Sequence, residues 1–150
     1  MALQALYEID SVGHDVETVL QQRAEALALP EPTVAFARSL VLGTFNCQSR
    51  LDRIIEEIAP EWPVYQMAVV DRNILRMAIF EMVVDRETPV KVIINEAVEL
   101  AKQFAGDSSR RLVNGALGTL ASQTRLWDLA TVPADTGDTS SPGVRLKAKD

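Results

Sequence analysis

Arg110 and Arg111 stand side by side, and Asn114, Gly115, Gly118 and Ser122 follow them at helical spacing. With Arg110 at zero and about 100° per residue, all of these fall within an arc of roughly 140°. Leu112, Val113, Ala116, Leu117 and Leu120 take the other side. Guanidinium groups hold phosphate oxygens in a bidentate fashion, and glycines beside them let another backbone approach closely. Each glycine inside a helix costs roughly 1 kcal/mol against alanine, so a face kept bare at that cost calls for a use. Two uses fit the spacing. One is contact with phosphates; the other is a small-residue groove for a neighbouring helix, with the arginines solvated.

Glu81 raises a different question. On a helical wheel with Asp71 at zero it falls at about 280°, among Val70, Ile74 and Met77, while Arg72, Asn73 and Arg76 gather at roughly 100° to 200°. Burying an unpaired charge is expensive. The carboxylate therefore snorkels to water or pairs with a basic residue inside the protein, or else its stripe meets another protein.

Nothing else in the sequence is arranged for bond-breaking chemistry. His14 stands alone in an expected loop, without a Ser, Cys or metal-ligand partner. Cys47 lies among Asn46, Gln48 and Ser49 and reads as a passive thiol. Glu56 with Glu57, and Glu96 with Glu99, resemble exposed helix faces rather than a catalytic pair. No glycine-rich phosphate loop follows a strand, and no nucleophile motif is present. No catalytic residue, metal or cofactor is expected.

The elements that must position Glu81 and the arginines are helices. "ALQALYEID" starts helical at Ala2 with no capping residue before it, and a second helix covers residues 16–28, followed by Pro30 and Pro32. From Thr33 to about Ile58 apolar residues recur at three- and four-residue intervals, predicting one long amphipathic helix that Pro60 and Pro63 end. Tyr65 to about Val84 follows as an apolar, central helix. Thr88 can cap the next helix, Pro89 suits its first position and Gly106 its end; Asp107, Ser108 or Ser109 can cap the one after. "VKVII" is the one strand candidate, and its continuation argues helix. The expected fold class is all-α.

At 150 residues the chain fits one domain able to bury a core without staples. The single cysteine excludes an internal disulfide and fits a reducing compartment. No apolar run approaches the roughly 20 residues that span a bilayer, and the N-terminus lacks the build of a signal peptide. A cytoplasmic protein with no membrane association is expected. The net charge of −6 argues against a general nucleic-acid coat. Its distribution is uneven: six acids precede residue 36 with Arg23 as the only base there, whereas Arg110, Arg111 and Arg125 have few acids near them. Any nucleic-acid contact is therefore local. The expected division is a helical domain over 1–127 and a disordered tail over 128–150, rich in Thr, Pro, Gly, Ser and Asp before a short basic end.

Four stretches line up in order with one family. "ALQALYEID" at 2–10, "DRNILRMAIFEM" at 71–82, "TPVKVIINEAVELAKQFA" at 88–105 and "SSRRLVNGALGTLA" at 108–121 resemble the bacterial transcription antitermination factor NusB. The resemblance implies two small three-helix bundles packed perpendicular to one another, about six to seven helices in all. It implies a non-catalytic factor that binds boxA RNA together with NusE, a ribosomal small-subunit protein. That pair would nucleate a complex on RNA polymerase that suppresses premature termination, mainly on ribosomal RNA operons.

Residue by residue, the resemblance places Gln4, Tyr7, Ser109, Arg110, Arg111, Leu112 and Asn114 at the RNA, and Glu81 on the helix that faces NusE. Members of the family usually carry an arginine-rich segment just before "ALQALY", where this sequence has Met1, and an aromatic at the place of Leu112 is common. Base stacking is worth roughly 1–3 kcal/mol, so the implied change is weaker RNA affinity with the same role. Two further readings fit such a domain: an accessory RNA-binding module related to ribosomal RNA cytosine methyltransferases, and a structural homodimer.

Overall fold

The computed structural model describes residues 1–131, and among them there are eight α-helices and no strands. The first three are α1 (Ala2–Val12), α2 (Val16–Leu27) and α3 (Glu31–Asn46), which pack on one another as a three-helix group. Asp15 caps α2 by accepting a hydrogen bond from the Thr18 amide. The second group comprises α4 (Gln48–Ile58), α5 (Val69–Ile79), α6 (Val90–Phe104) and α7 (Asp107–Ser122), closed by a short α8 (Asp128–Thr131). Central α5 touches α1 and α3 on one side and α4, α6 and α7 on the other. Its Ile74, Leu75 and Ile79 are fully buried because they sit between the two groups.

The expected count of six to seven helices is low by one or two. The long helix expected over 33–58 breaks at Cys47, where the backbone turns to φ −100°, ψ 10°. The hydrogen bonds continue through the bend, from the Cys47 amide to the Gly43 carbonyl and from the Leu51 amide to the Cys47 carbonyl. The apolar pattern also continues: buried Thr44 and Leu51 stand seven apart, which is two helical turns. A pattern in register across the bend carries no sign of it, and neither Pro nor Gly occupies position 47.

The central helix begins later than Tyr65. A 3-10 turn over Val64–Gln66 and extended backbone at Met67 and Ala68 precede it. Its end widens into a π-turn, Phe80–Asp85, closed by a hydrogen bond from the Arg86 amide to the Glu81 carbonyl. Opposite this turn a Cβ on Gly43 would run into the Phe80 ring, so α3 approaches α5 closely only because Gly43 has no side chain. Gly43→Ala is expected to lose about 1–3 kcal/mol through overpacking. Urea denaturation measures it, and an unchanged midpoint would mean that Phe80 swings aside freely.

The packed chain also continues past residue 127. Ala130 is 1% exposed and its carbonyl accepts a hydrogen bond from Arg50, so α8, which lies in the stretch assigned above to the tail, packs on the second group. The remainder of the expected tail, 132–150, lies outside the described residues.

One buried polar cluster ties the two groups together. Asp10 on α1 accepts hydrogen bonds from Arg72 Nε and Nη2 (both 2.7 Å), Asn73 Nδ2 (2.8 Å) and Arg76 Nη1 (3.1 Å), all on α5. Arg76 also grips Asp52 on α4 through Nε (2.7 Å) and Nη2 (3.0 Å). Arg72, Asn73 and Arg76 share a helix face, as their spacing requires. Their common partner lies more than sixty residues earlier in the chain.

Candidate functional site

Helix α7 starts where the chain must reverse after α6. Gly106 takes φ +117°, a conformation that L side chains rarely adopt, and this lets α7 begin at Asp107 without a side-chain cap. The capping expected from Asp107, Ser108 or Ser109 is therefore absent. Asp107 instead lies in the first turn, where a negative charge suits the helix dipole, and its carboxylate is 3.6 Å from Arg110 Nε. Val113, Ala116, Leu117 and Leu120 bury the inner face against the second group.

The outer face is open. Arg111, Asn114, Gly115, Gly118 and Ser122 are exposed, and a Cβ built on Gly115 or Gly118 would meet nothing within 4 Å. No helix of the described residues packs there. The small-residue groove at Gly118 and Ser122, which the spacing also fits, therefore has no occupant among the described residues. The Ser122 hydroxyl spends its donor on the Thr119 carbonyl of its own helix.

The expected RNA residues divide by exposure. Arg111 and Asn114 are exposed, Arg110 and Leu112 half-buried, and Ser109 is only 9% exposed, so its side chain faces the fold. On α1, Gln4 is half-buried and Tyr7 is exposed. Gln4 lines a cleft of about 390 Å³ whose far wall includes Gln103 and Phe104, at the end of α6 just before α7. Among the described residues no hydrogen bond or ion pair joins Gln4 or Tyr7 to residues 109–114.

Glu81 lies on the π-turn and lines both that cleft and a second one of about 560 Å³. It makes no hydrogen bond or ion pair with any described residue, which removes the reading in which it pairs inside the bundle. Burial, followed by the charges of Glu96 and Asp85, raises its pKa above the usual carboxylate value. The walls are apolar: Leu40, Met77 and Ile93 beneath, with Phe36 on α3 60% exposed at the rim. Glu96, read above as part of an exposed helix face, lies on the cleft wall, and Phe36 joins it without any motif in the sequence. Phe36 is an aromatic off the buried stripe of α3, and that displacement was the available signal.

The lone residues have ordinary surroundings. His14 Nδ1 lies 2.6 Å from Glu8 Oε2. Burial pushes the Cys47 thiol up, against the opposing charge of Arg50, as befits an unreactive thiol. Among the described residues no group of His, Cys, Asp and Glu is placed to hold a metal ion, and no helix is long and apolar enough to cross a membrane.

An all-helical domain with one helix face left open beside arginines, and apolar clefts around an unpaired carboxylate, has the build of a module that binds other macromolecules. The profile of the NusB family matches residues 1–122, and the chain belongs to that family. Curated relatives named transcription antitermination protein NusB include those of Roseiflexus sp. (strain RS-1) and Chloroflexus aggregans. The first is 53% identical over 127 residues, covering 83% of this chain and 89% of the relative. The second is 49% identical over 124 residues, covering 81% and 83%. Among solved structures, NusB from T. maritima matches with a TM-score of 0.75 and 27% identity, over 85% of this chain and 92% of that one. A chain from a crystal structure of antitermination factors NusB and NusE in complex with dsRNA matches with a TM-score of 0.75 and 22% identity, over 81% and 90%.

Proposed function

We propose that this chain is a non-catalytic, cytoplasmic transcription antitermination factor that binds boxA RNA together with NusE. The observation that carries this reading is the open face of α7, where exposed Arg111 and Asn114 stand beside two glycines with free space above them. Arg111 supplies a charge for phosphate, the glycines let the RNA backbone approach, and Arg110, Leu112, Gln4 and Tyr7 flank the track. Ser109 serves from the buried side, as part of the turn that sets the helix. Glu81 faces NusE. The pair would join the antitermination complex on RNA polymerase and suppress premature termination, chiefly on ribosomal RNA operons.

A solved neighbour that holds NusB, NusE and dsRNA in one complex supports the choice of partners. The two relatives quoted above are matched over 83–89% of their own length, which weighs against a module attached to a methyltransferase.

The test is a binding titration at fixed salt with NusE present. BoxA RNA is expected to bind more tightly than a scrambled sequence, and equal affinity would refute the proposal. Arg111→Ala is expected to weaken both RNAs alike and to lower the slope of log K against log salt by about 0.7–1. An unchanged slope would remove Arg111 from the phosphate track. Light scattering with and without NusE distinguishes a heterodimer from a homodimer.

A further inference from the structure

We propose that the basic segment Arg145–Lys149 docks in the Glu81 clefts of its own chain, so that any partner for that face must compete with it. The walls of these clefts are acidic as well as apolar. Glu81, Asp85, Glu87 and Glu96 line them, and no Lys or Arg side chain does. Among the described residues the amino group of Met1 is the one ionisable cation on the walls, and burial, aided by Arg23, lowers its pKa. The segment has the complementary composition: Arg145, Lys147 and Lys149 alternate with Leu146 and Ala148. Its apolar residues match the cleft floor in kind, and its basic residues match the acids at the rim.

The place where the described chain ends favours this occupant. Helix α8 packs against α4 and the Phe80–Asp85 π-turn, and that turn carries both Glu81 and Asp85. Residues 132–144 lie between α8 and the basic segment and can span on the order of 45 Å at most. Tethering this close gives an effective concentration on the order of millimolar, enough for a weak contact to be occupied. Docking needs no partner. Only the consequence, competition with NusE, rests on the function proposed above.

Zero-length carbodiimide coupling of the full chain, using a mixture of unlabelled and 15N-labelled protein, tests the docking directly. Coupling of Lys147 or Lys149 to Glu81, Asp85, Glu87 or Glu96 within one chain is the expected result, and it should be lost at high salt. Coupling only between chains would make a second copy the occupant. No coupling, or coupling spread over other acids, would overturn the proposal as well.

The triple substitution Arg145→Glu, Lys147→Glu and Lys149→Glu is expected to tighten NusE binding about three- to tenfold, as when a competitor occupying roughly 70–90% of molecules is removed. Weaker RNA binding with unchanged NusE affinity would instead assign the segment to nucleic acid and refute the docking. Intrachain coupling in a protein that binds no NusE would uphold the docking and refute the partner reading.

Discussion

Arg76→Ala is expected to lose about 3 kcal/mol of folding stability, the lower end of the range for removing one partner from a buried ion pair, because Asp10 and Asp52 keep partial contact with water. Arg76 is 4% exposed and bridges Asp10 on α1 to Asp52 on α4. Without it, Asp52 loses both of its hydrogen bonds from Arg76 and Asp10 loses one, inside a region that holds the two helical groups together. Urea denaturation at neutral pH measures the loss. The double variant Asp10→Ala with Arg76→Ala should lose less than the sum of the single variants, because they remove shared contacts. A loss under about 1 kcal/mol for Arg76→Ala would mean that water enters and solvates the cluster.

The same cluster sets an acid limit. Burial alone would raise the pKa of Asp10, but hydrogen bonds from Arg72 and Asn73 and the charges of Arg72 and Arg76 outweigh it, leaving the carboxyl below its ordinary value. Since the folded pKa lies below the unfolded one, Asp10's contribution is complete above a pH of about 4. It is lost as the pH falls through the depressed folded value. The stability difference between wild type and Asp10→Asn should therefore shrink on acidification below pH ~4.

Glu81→Lys is the second large effect, and it falls on binding rather than folding. If Glu81 faces NusE, as proposed above, reversing its charge is expected to weaken NusE binding by about 2–4 kcal/mol, or roughly 30- to 1000-fold. Thermal stability should hardly change. Glu81 gives up no ion pair, and a lysine there would meet Glu96 and Asp85, the charges that now repel it. Calorimetry with NusE and a thermal melt of the free chain separate the two quantities. A large loss of stability would reveal an internal partner in solution; unchanged affinity would move the NusE contact elsewhere. Because the pKa of Glu81 is raised, a contact that needs its carboxylate ionised should weaken as the pH falls into that raised range and should take place with proton release.

Much of this is legible in the sequence alone. Helical periodicity, with punctuation by Pro30, Pro32, Pro60, Pro63 and Gly106, placed most helices to within a few residues. It also put the arginines and glycines of α7 on one face and marked Glu81 as a charge on an apolar stripe. These are properties of a single helix, and side chains three and four apart report them directly.

What surrounds each helix had no such local signal. The bend at Cys47 leaves the apolar register intact, so only the diverging paths of α3 and α4 reveal it. Asp10 could not be identified as the hub for Arg72, Asn73 and Arg76, because a charge pair across more than sixty residues leaves no trace in spacing. A bare helix face suits either a neighbouring helix or an outside phosphate, and among the described residues nothing fills the space above Gly115 and Gly118. The sequence by itself determined most of the helices, their faces and the family to which the chain belongs. Which of those faces are covered, paired or left open was decided only by the tertiary structure, because it depends on what the rest of the chain brings against them.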